Sequence, residues 1–315
     1  MADIIESRSS YRHGKQSQAV VSLNNFKLPI TAILAVKNEE KNIGRCIGAL
    51  GFVAQIIVVD SHSKDQTSAI ATVHGAQVVQ FDYQGGYPKK RQWAMDTIPI
   101  DTQWMLLIDA DEVVPKTLVT EIRHAIERDD RDAYFIRKGF HFLGRRFRFG
   151  GFSHQAVLLF RRGRARFEKL FDDDAAGLDM EVHERLIVKG KTGVLKTPLI
   201  HEDFKGIEAY IERHNRYSTW EAKLRCNALT TGVYGNDPIA PRLFGNPQER
   251  RRALKAILIR LPLEHLVWFW YHFLFKLGFM EGRPGLIACQ IRASYIAQVR
   301  AKVYEMKMNQ KGVRG

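Results

Sequence analysis

The chain has 315 residues, 45% of them hydrophobic and 26% charged, which suits a globular protein of one large or two modest domains with ample core; it contains no repeats and no low-complexity segment. Three scattered cysteines, Cys46, Cys226 and Cys289, show neither zinc-ligand spacing nor the even count of a disulfide framework, so a reducing cytosol is expected. The formal charge is +14, and from Arg242 to Gly315 14 lysines and arginines stand against 4 acidic residues, a local excess of +10. Such a basic end suits nucleic acid or an anionic membrane, and no helix-turn-helix, zinc or RNP-type pattern supports nucleic acid.

Met1 to Phe26 is polar, lacks the apolar run of a signal peptide and reads as a loose tail. Pro29-Ile-Thr-Ala-Ile-Leu-Ala-Val36 is β-branched and reads as the first strand, ended by Lys37-Asn-Glu39-Glu40. A helix with Ile43, Ile47 and Leu50 on one face precedes the second strand, Gln55-Ile-Ile-Val-Val-Asp60, which ends in a carboxylate. Asp65 is placed to cap the helix that runs to His74, and Gln77 to Phe81 is a third short strand. Gly85-Gly-Tyr-Pro88 breaks the chain, and Pro88 opens the helix Lys89 to Asp96. Trp104-Met-Leu-Leu-Ile108 has the unbroken apolar character of a buried parallel strand, and it stops at Asp109-Ala-Asp111.

After Pro115 a helix carries Leu118, Ile122 and Ile126 on one stripe, followed by a strand Ala133 to Ile136. Arg145 to Phe167 alternates aromatic and basic residues with glycines, which predicts antiparallel strands and loops over a binding cleft. Asp172-Asp-Asp174 reads as a solvated turn, Val194 to His201 as strand-like, Gly206 to Arg225 as helical, and Tyr234 to Pro247 as a linker. Ala253 to Met280 contains Leu266-Val-Trp-Phe-Trp-Tyr-His-Phe-Leu-Phe275 between Arg260 and Lys276. That run is far short of the roughly 20 residues of a spanning helix, but its aromatic residues beside cations suit a membrane interface.

Strands alternating with helices predict an α/β fold with a mainly parallel sheet. Glu39 and Glu40, Asp60, and Asp109 with Asp111 follow three of its strands, so all should meet at the sheet edge where such folds bind ligands. Carboxylates gathered there repel one another unless a cation or ligand engages them. Asp60 suits a ribose diol, Asp111 a metal on a diphosphate, and Lys89, Lys90 and Arg91 a base or phosphates. No Gly-x-Gly-x-x-Gly follows a strand and no P-loop is present, which argues against dinucleotide and P-loop chemistry. Lys37-Asn-Glu-Glu40 stands where a sugar nucleotidyltransferase would carry a glycine-rich triphosphate loop.

Ala35-Val-Lys-Asn-Glu-Glu40, Ile57-Val-Val-Asp-Ser-His-Ser-Lys-Asp-Gln-Thr67, Gly85-Gly-Tyr-Pro-Lys-Lys-Arg-Gln-Trp-Ala94 and Asp109-Ala-Asp111 together resemble the family-2 glycosyltransferases. Val182-His-Glu184, His201, Gly278-Phe-Met-Glu-Gly282 and Gly285-Leu286 resemble the bacterial lipopolysaccharide core glycosyltransferases of the WaaE/KdtX and LgtF type. The resemblance spans about Pro29 to Lys302 and is strongest over the first half.

It implies a GT-A-like, mainly parallel sheet flanked by helices, with a C-terminal helical segment that associates with membranes. The implied activity is inverting, metal-dependent transfer of a hexose from a UDP-sugar to a lipopolysaccharide core or similar lipid-linked oligosaccharide or glycolipid. A polyprenyl-phosphate or polyprenyl-diphosphate-linked acceptor in exopolysaccharide synthesis is the alternative. On this resemblance Glu39 and Asp60 bind uridine and ribose, Lys90 or Arg91 the base or diphosphate, Asp109 the ribose or a metal-bound water, and Asp111 Mn²⁺ or Mg²⁺. His201 is either a further metal or diphosphate ligand or a satisfied core histidine. Glu184 is the candidate base, with Asp179 and Glu181 as competitors, although many relatives carry a longer acidic motif there. Arg145, Arg146, Arg148, Arg161, Arg162 and Arg164 either grip a phosphorylated acceptor or form a solvated strand face. The expected division is a flexible tail over 1–28, a nucleotide-sugar half over 29–114, an acceptor half over 115–233, and a linker with a basic, aromatic helical region over 234–315. The expected location is cytoplasmic, peripheral on the inner face of the membrane, with no nucleic-acid partner.

Overall fold

A computed structural model describes residues 27–170, 179, 181, 184–202, 206–232, 234–236, 239–310 and 312. The expectations for the N-terminal tail, the Asp172–Asp174 turn, and Val182 with His183 fall outside these residues.

The first half alternates strands and helices: β1 (Leu28–Val36), α1 (Ile43–Gly48), β2 (Val53–Asp60), α2 (Thr67–Val73), β3 (Gln77–Gln80), α3 (Lys90–Thr97) and β4 (Trp104–Ile108). After a short β5 (Glu112–Val113) come α4 (Lys116–Arg128) and β6 (Ala133–Lys138). The remaining strands are β7 (His141–Phe142), β8 (Arg145–Arg146), β9 (His154–Arg161), β10 (Ala165–Phe167), β11 (Leu186–Val188), β12 (Thr192–Val194) and β13 (Ile200–His201). Seven strands form the central sheet in the order β12-β6-β9-β4-β1-β2-β3. All of its pairs are parallel except those that β9 makes with β4 and β6. Every residue of β4 is buried, as its unbroken apolar run requires of a strand covered on both faces.

Two expectations change. The Arg145 to Phe167 stretch does not merely cover a cleft, because β9 lies inside the central sheet with Val157, Leu158, Leu159 and Phe160 all buried. Val194 to His201 is not one strand. Pro198, which lacks an amide proton, interrupts it, and the amides of Lys196 and Thr197 turn aside to donate to Glu121 at 2.6 and 2.9 Å. The halves become β12, in the central sheet, and β13, which pairs with β5.

The C-terminal part is helical: α5 (Gly206–Thr231), α6 (Pro247–Leu258), α7 (Glu264–Trp270), a π-helical turn Tyr271–Phe275, a 3₁₀ turn Gly278–Glu281, and α8 (Gly282–Gln310). Leu263 and Leu277, at positive φ, break this run, and a side chain at Gly278 would meet the His272 carbonyl at 2.6 Å. α8 packs on α5 through Ala222, Cys226, Tyr295, Ile296 and Val299. Between α5, α7 and α8 lies a buried ionic knot. Arg225 binds Glu221 and Glu264 at 2.7 Å each, and the Tyr295 hydroxyl donates to Glu221 at 2.7 Å. Such groups are tolerated because each charge has partners. Arg225→Ala leaves two buried carboxylates without their guanidinium and is expected to lower unfolding stability by about 3–5 kcal/mol in urea titrations.

Candidate active site

The site forms at the carboxyl ends of the parallel strands. Val36 at the end of β1 is in register with Asp60 at the end of β2, and β1 also runs parallel to β4, so the three acidic strand ends share one rim. Asp60 is buried and its carboxylate already accepts from the Ser63 amide at 3.1 Å, the Ser63 hydroxyl at 2.5 Å and the Ser68 hydroxyl at 2.6 Å. Burial opposes its charge, but these hydrogen bonds overcome that and hold its pKa below the usual aspartate value. Asp60 thereby shapes the loop between β2 and α2. Asp65 works beside it, accepting from the Thr67 amide at 3.0 Å at the start of α2. Glu39 is half-buried, accepts from the Asn42 side chain at 2.9 Å, and its amide donates to Thr67 at 2.7 Å.

α3 brings cations to the same rim. In its first turn the Lys90 amide donates to the Asp179 carbonyl at 2.9 Å, and the amides of Arg91 and Gln92 donate to the Glu181 carboxylate at 3.1 and 2.9 Å, which satisfies the otherwise unpaired donors of a buried helix start. Lys90 is almost wholly buried, donating to the Val36 carbonyl at 2.8 Å and pairing with Asp179 at 3.1 Å. Burial draws its pKa down against the pull of Asp179. Arg91 reaches across to Asp109 and also donates to the Glu181 carbonyl at 3.2 Å.

Asp109 is the centre of the arrangement. Besides Arg91 it binds Lys138, at the end of β6, at 2.5 Å, and Lys138 also binds the fully buried Glu112 at 2.7 Å. The Asp109 amide in turn donates to Glu112 at 2.9 Å. Burial disfavours its charge, but Lys138 and Arg91 outweigh that and hold Asp109 far below the ordinary carboxylate range. Burial and the nearby Asp109 push Glu112 up. With both cations on Asp109, the neighbouring Asp111 is the carboxylate left for other work.

Asp111 lies 3.1 Å from the His201 imidazole. The pairing of β13 with β5 sets His201 opposite Glu112, and the Glu202 amide donates to the Asp111 carbonyl at 3.0 Å. Burial lowers the His201 pKa, but the Asp111 carboxylate and the charge of Glu112 push it up to about 9. No group of three or more potential metal-ligating side chains occurs among the described residues. Asp111 and His201 nevertheless fit the donor set of an ion that takes its other ligands from diphosphate and water, as Mn²⁺ and Mg²⁺ sites do. Glu184 pairs with Lys89 at 2.7 Å, both side chains being largely buried, while Lys89 also faces the Trp220 ring at 5.1 Å.

The structure thus brings Glu39, Asp60, Lys90, Arg91, Asp109, Asp111 and His201 to one rim, with Glu184 against the start of α3. The sequence reading did not single out Lys138 or Glu112. Glu112 adjoins the acidic stretch, but Lys138 ends an apolar strand far along the chain and carried no signal of its own.

The acidic and cationic rim lies at the carboxyl edge of a mainly parallel α/β sheet, the edge at which proteins of this fold class bind ligands. Residues 31–179 match the family model described as glycosyl transferase family 2. That match, over a little under half of the chain, marks its first half as a glycosyltransferase domain. It is similar to the lipopolysaccharide core biosynthesis glycosyltransferase LpsC of Rhizobium meliloti, with 29% identity over 89% of this chain and 93% of LpsC. An uncharacterized glycosyltransferase of Rickettsia felis is 26% identical over 90% of this chain and 92% of its own. Among solved structures, S. aureus TarS 1-349 in complex with UDP-GlcNAc shows 16% identity over 90% of this chain and 92% of that fragment, with a TM-score of 0.41.

Because the folded pKa of Asp60 lies below the unfolded one, its contribution is complete above the ordinary value of 3.8 and is lost as the pH falls through the lower folded value. Asp60→Asn should be less stable at neutral pH by about 1–3 kcal/mol. Its urea-unfolding free energy should also fall less steeply than that of the wild type in acid.

Proposed function

We propose that the chain moves a hexose from a UDP-sugar to a lipopolysaccharide core or similar membrane-borne glycan, with inversion and with a divalent metal ion. The observation that carries this reading is the Asp111–His201 pair beside an Asp109 already neutralised by Arg91 and Lys138. The relationship to LpsC over nearly its whole length supports the glycan class. Residues 29–114 would hold the nucleotide and 115–233 the acceptor.

In the proposed reaction the acceptor hydroxyl oxygen attacks the anomeric carbon as the bond from that carbon to the diphosphate breaks, and the hydroxyl proton passes to a base. Glu184 is the proposed base, with Asp179, which pairs with Lys90, and Glu181, which holds the start of α3, as its competitors. Lys89 pairs with Glu184 at 2.7 Å. Glu39 and the loop shaped by Asp60 receive the uridine end, and Arg91 and Lys138 fix Asp109 toward the ribose. Asp111 and His201 would hold Mn²⁺ or Mg²⁺, which supplies positive charge for the departing diphosphate. Loading that site displaces the proton of His201, so apparent Mn²⁺ affinity should rise with pH up to about 9.

Membrane attachment is proposed for the C-terminal part. No helix among the described residues is long and apolar enough to cross a membrane. A contiguous apolar surface is nevertheless exposed there, lined by Leu263, Leu266, Val267, Trp270, Tyr271 and Phe275, with Phe275 79% exposed. Arg260, Lys276 and Arg283 flank that surface in sequence, a composition suited to the interface of an anionic bilayer.

Asp111→Ala should abolish metal-stimulated transfer from UDP-sugar, and Glu184→Gln should cut kcat at least about 100-fold with UDP affinity unchanged. Full activity in Asp111→Ala with metal present would remove the metal assignment. In vesicle sedimentation the wild type should bind membranes containing phosphatidylglycerol more tightly than neutral ones, and Trp270→Ala with Phe275→Ala should release it.

A further inference from the structure

Four of the six arginines that first suggest an anion grip, Arg145, Arg161, Arg162 and Arg164, have side chains engaged elsewhere. Arg145 and the amides of Arg148 and Phe149 bind Glu281, Arg161 pairs with Asp129 and stacks on Trp104, and Arg162 donates to the Ile100 carbonyl at 2.6 Å. Arg164 faces Asp132 at 3.6 Å.

A histidine and three arginines gather at the carboxyl rim, on the side of β4 away from β1 and β2. His154 begins β9, which runs antiparallel to β4 and β6, so it lies opposite Lys138, itself bound to Asp109. α6 closes over this corner. Its Arg251 donates to the Gln155 carbonyl at 3.3 Å, its Gln248 to the Leu186 carbonyl at 3.2 Å, and its Arg252 to the buried Glu168 at 2.6 Å. The Arg185 amide binds the other oxygen of Glu168 at 3.0 Å, which draws Arg185 to the same corner. Arg252 is thus neutralised, whereas Arg185 and Arg251, both half-buried, have no carboxylate partner among the described residues.

Half-buried cations that repel one another and lack a counter-ion are costly unless an anion visits them. We propose that His154, Arg185 and Arg251 form an acceptor subsite for an anionic group, a phosphate or carboxylate carried by the glycan that receives the sugar. The local field agrees. Burial, and then Lys138, Arg251, His201 and Arg185, push the His154 imidazole down to about 3, although His154 as a residue is exposed at the start of β9. Burial, and then Arg252 and Arg251, lower Arg185 to about 10 against the pull of Glu168. The subsite rests on the transferase reading and adds to it a charge requirement on the acceptor. It lies next to Asp109 but across β4 from the loops assigned to the nucleotide, which favours the acceptor over the donor.

The test uses the full chain saturated with UDP and Mg²⁺, titrated in a calorimeter with glucose 6-phosphate, glucuronate or glucose. The wild type should bind one or both charged sugars and not glucose, and the two charged arms distinguish phosphate from carboxylate. Arg185→Gln with Arg251→Gln should bind the charged sugar at least about tenfold more weakly while UDP affinity stays unchanged, which also shows the variant to be folded. Equal binding of glucose and the charged sugars by the wild type, or no charged-sugar binding, overturns the subsite. So does a wild-type preference for UDP-glucuronate over UDP-glucose that the double variant loses, because the cluster would then serve the donor. Failure of the wild type to bind UDP speaks instead against the transferase reading.

Discussion

Asp109 carries a charge at the end of a strand buried on both faces, and the arrangement of the rim follows from how that charge is compensated. Arg91 comes from the first turn of α3, Lys138 from the end of β6, and Glu112 from the turn after β4. Each cation needs Asp109 as much as Asp109 needs it, since an unpartnered buried charge costs several kcal/mol. One carboxylate therefore fixes the relative position of a helix and two strands. By occupying both cations itself, it leaves Asp111 to pair with His201.

The same logic orders the ends of β1 and β2. Asp60 spends its hydrogen-bonding capacity on its own loop, and Lys90 ties the end of β1 to Asp179. These residues hold backbone in place, tying the loops that follow β1 and β2 by hydrogen bonds and an ion pair. Preorganised polar groups are worth more than mobile ones because little reorganisation is needed on binding.

In the C-terminal part, charge and apolar surface have separate tasks. The Arg225, Glu221 and Glu264 knot locks α7 to α5 and α8 from within, and Glu281 ties the following turn to the chain ahead of β9 through the amides of Arg148 and Phe149. With its inner side held by polar contacts, the segment turns Trp270 and Phe275 outward. Exposed aromatic surface on a firmly anchored element is the pattern expected of an interaction face rather than of a loosely packed core.

The amino-acid order by itself determined the strands and helices of the first half and the carboxylates at their ends, because apolar runs, periodicity and breakers act over a few residues. The resemblance carried by those stretches also pointed to the family. It did not determine that β9 enters the central sheet, since its run reads equally as a covering hairpin until its neighbours are known. Nor did it determine that Pro198 splits Val194 to His201 into strands of two different sheets. Lys138, Glu112, Arg185 and Arg251 were invisible as site residues for the same reason. Their meaning comes from partners tens of residues away, and only the tertiary structure decides which charges meet, since ion pairing depends on distance in space rather than on spacing along the chain.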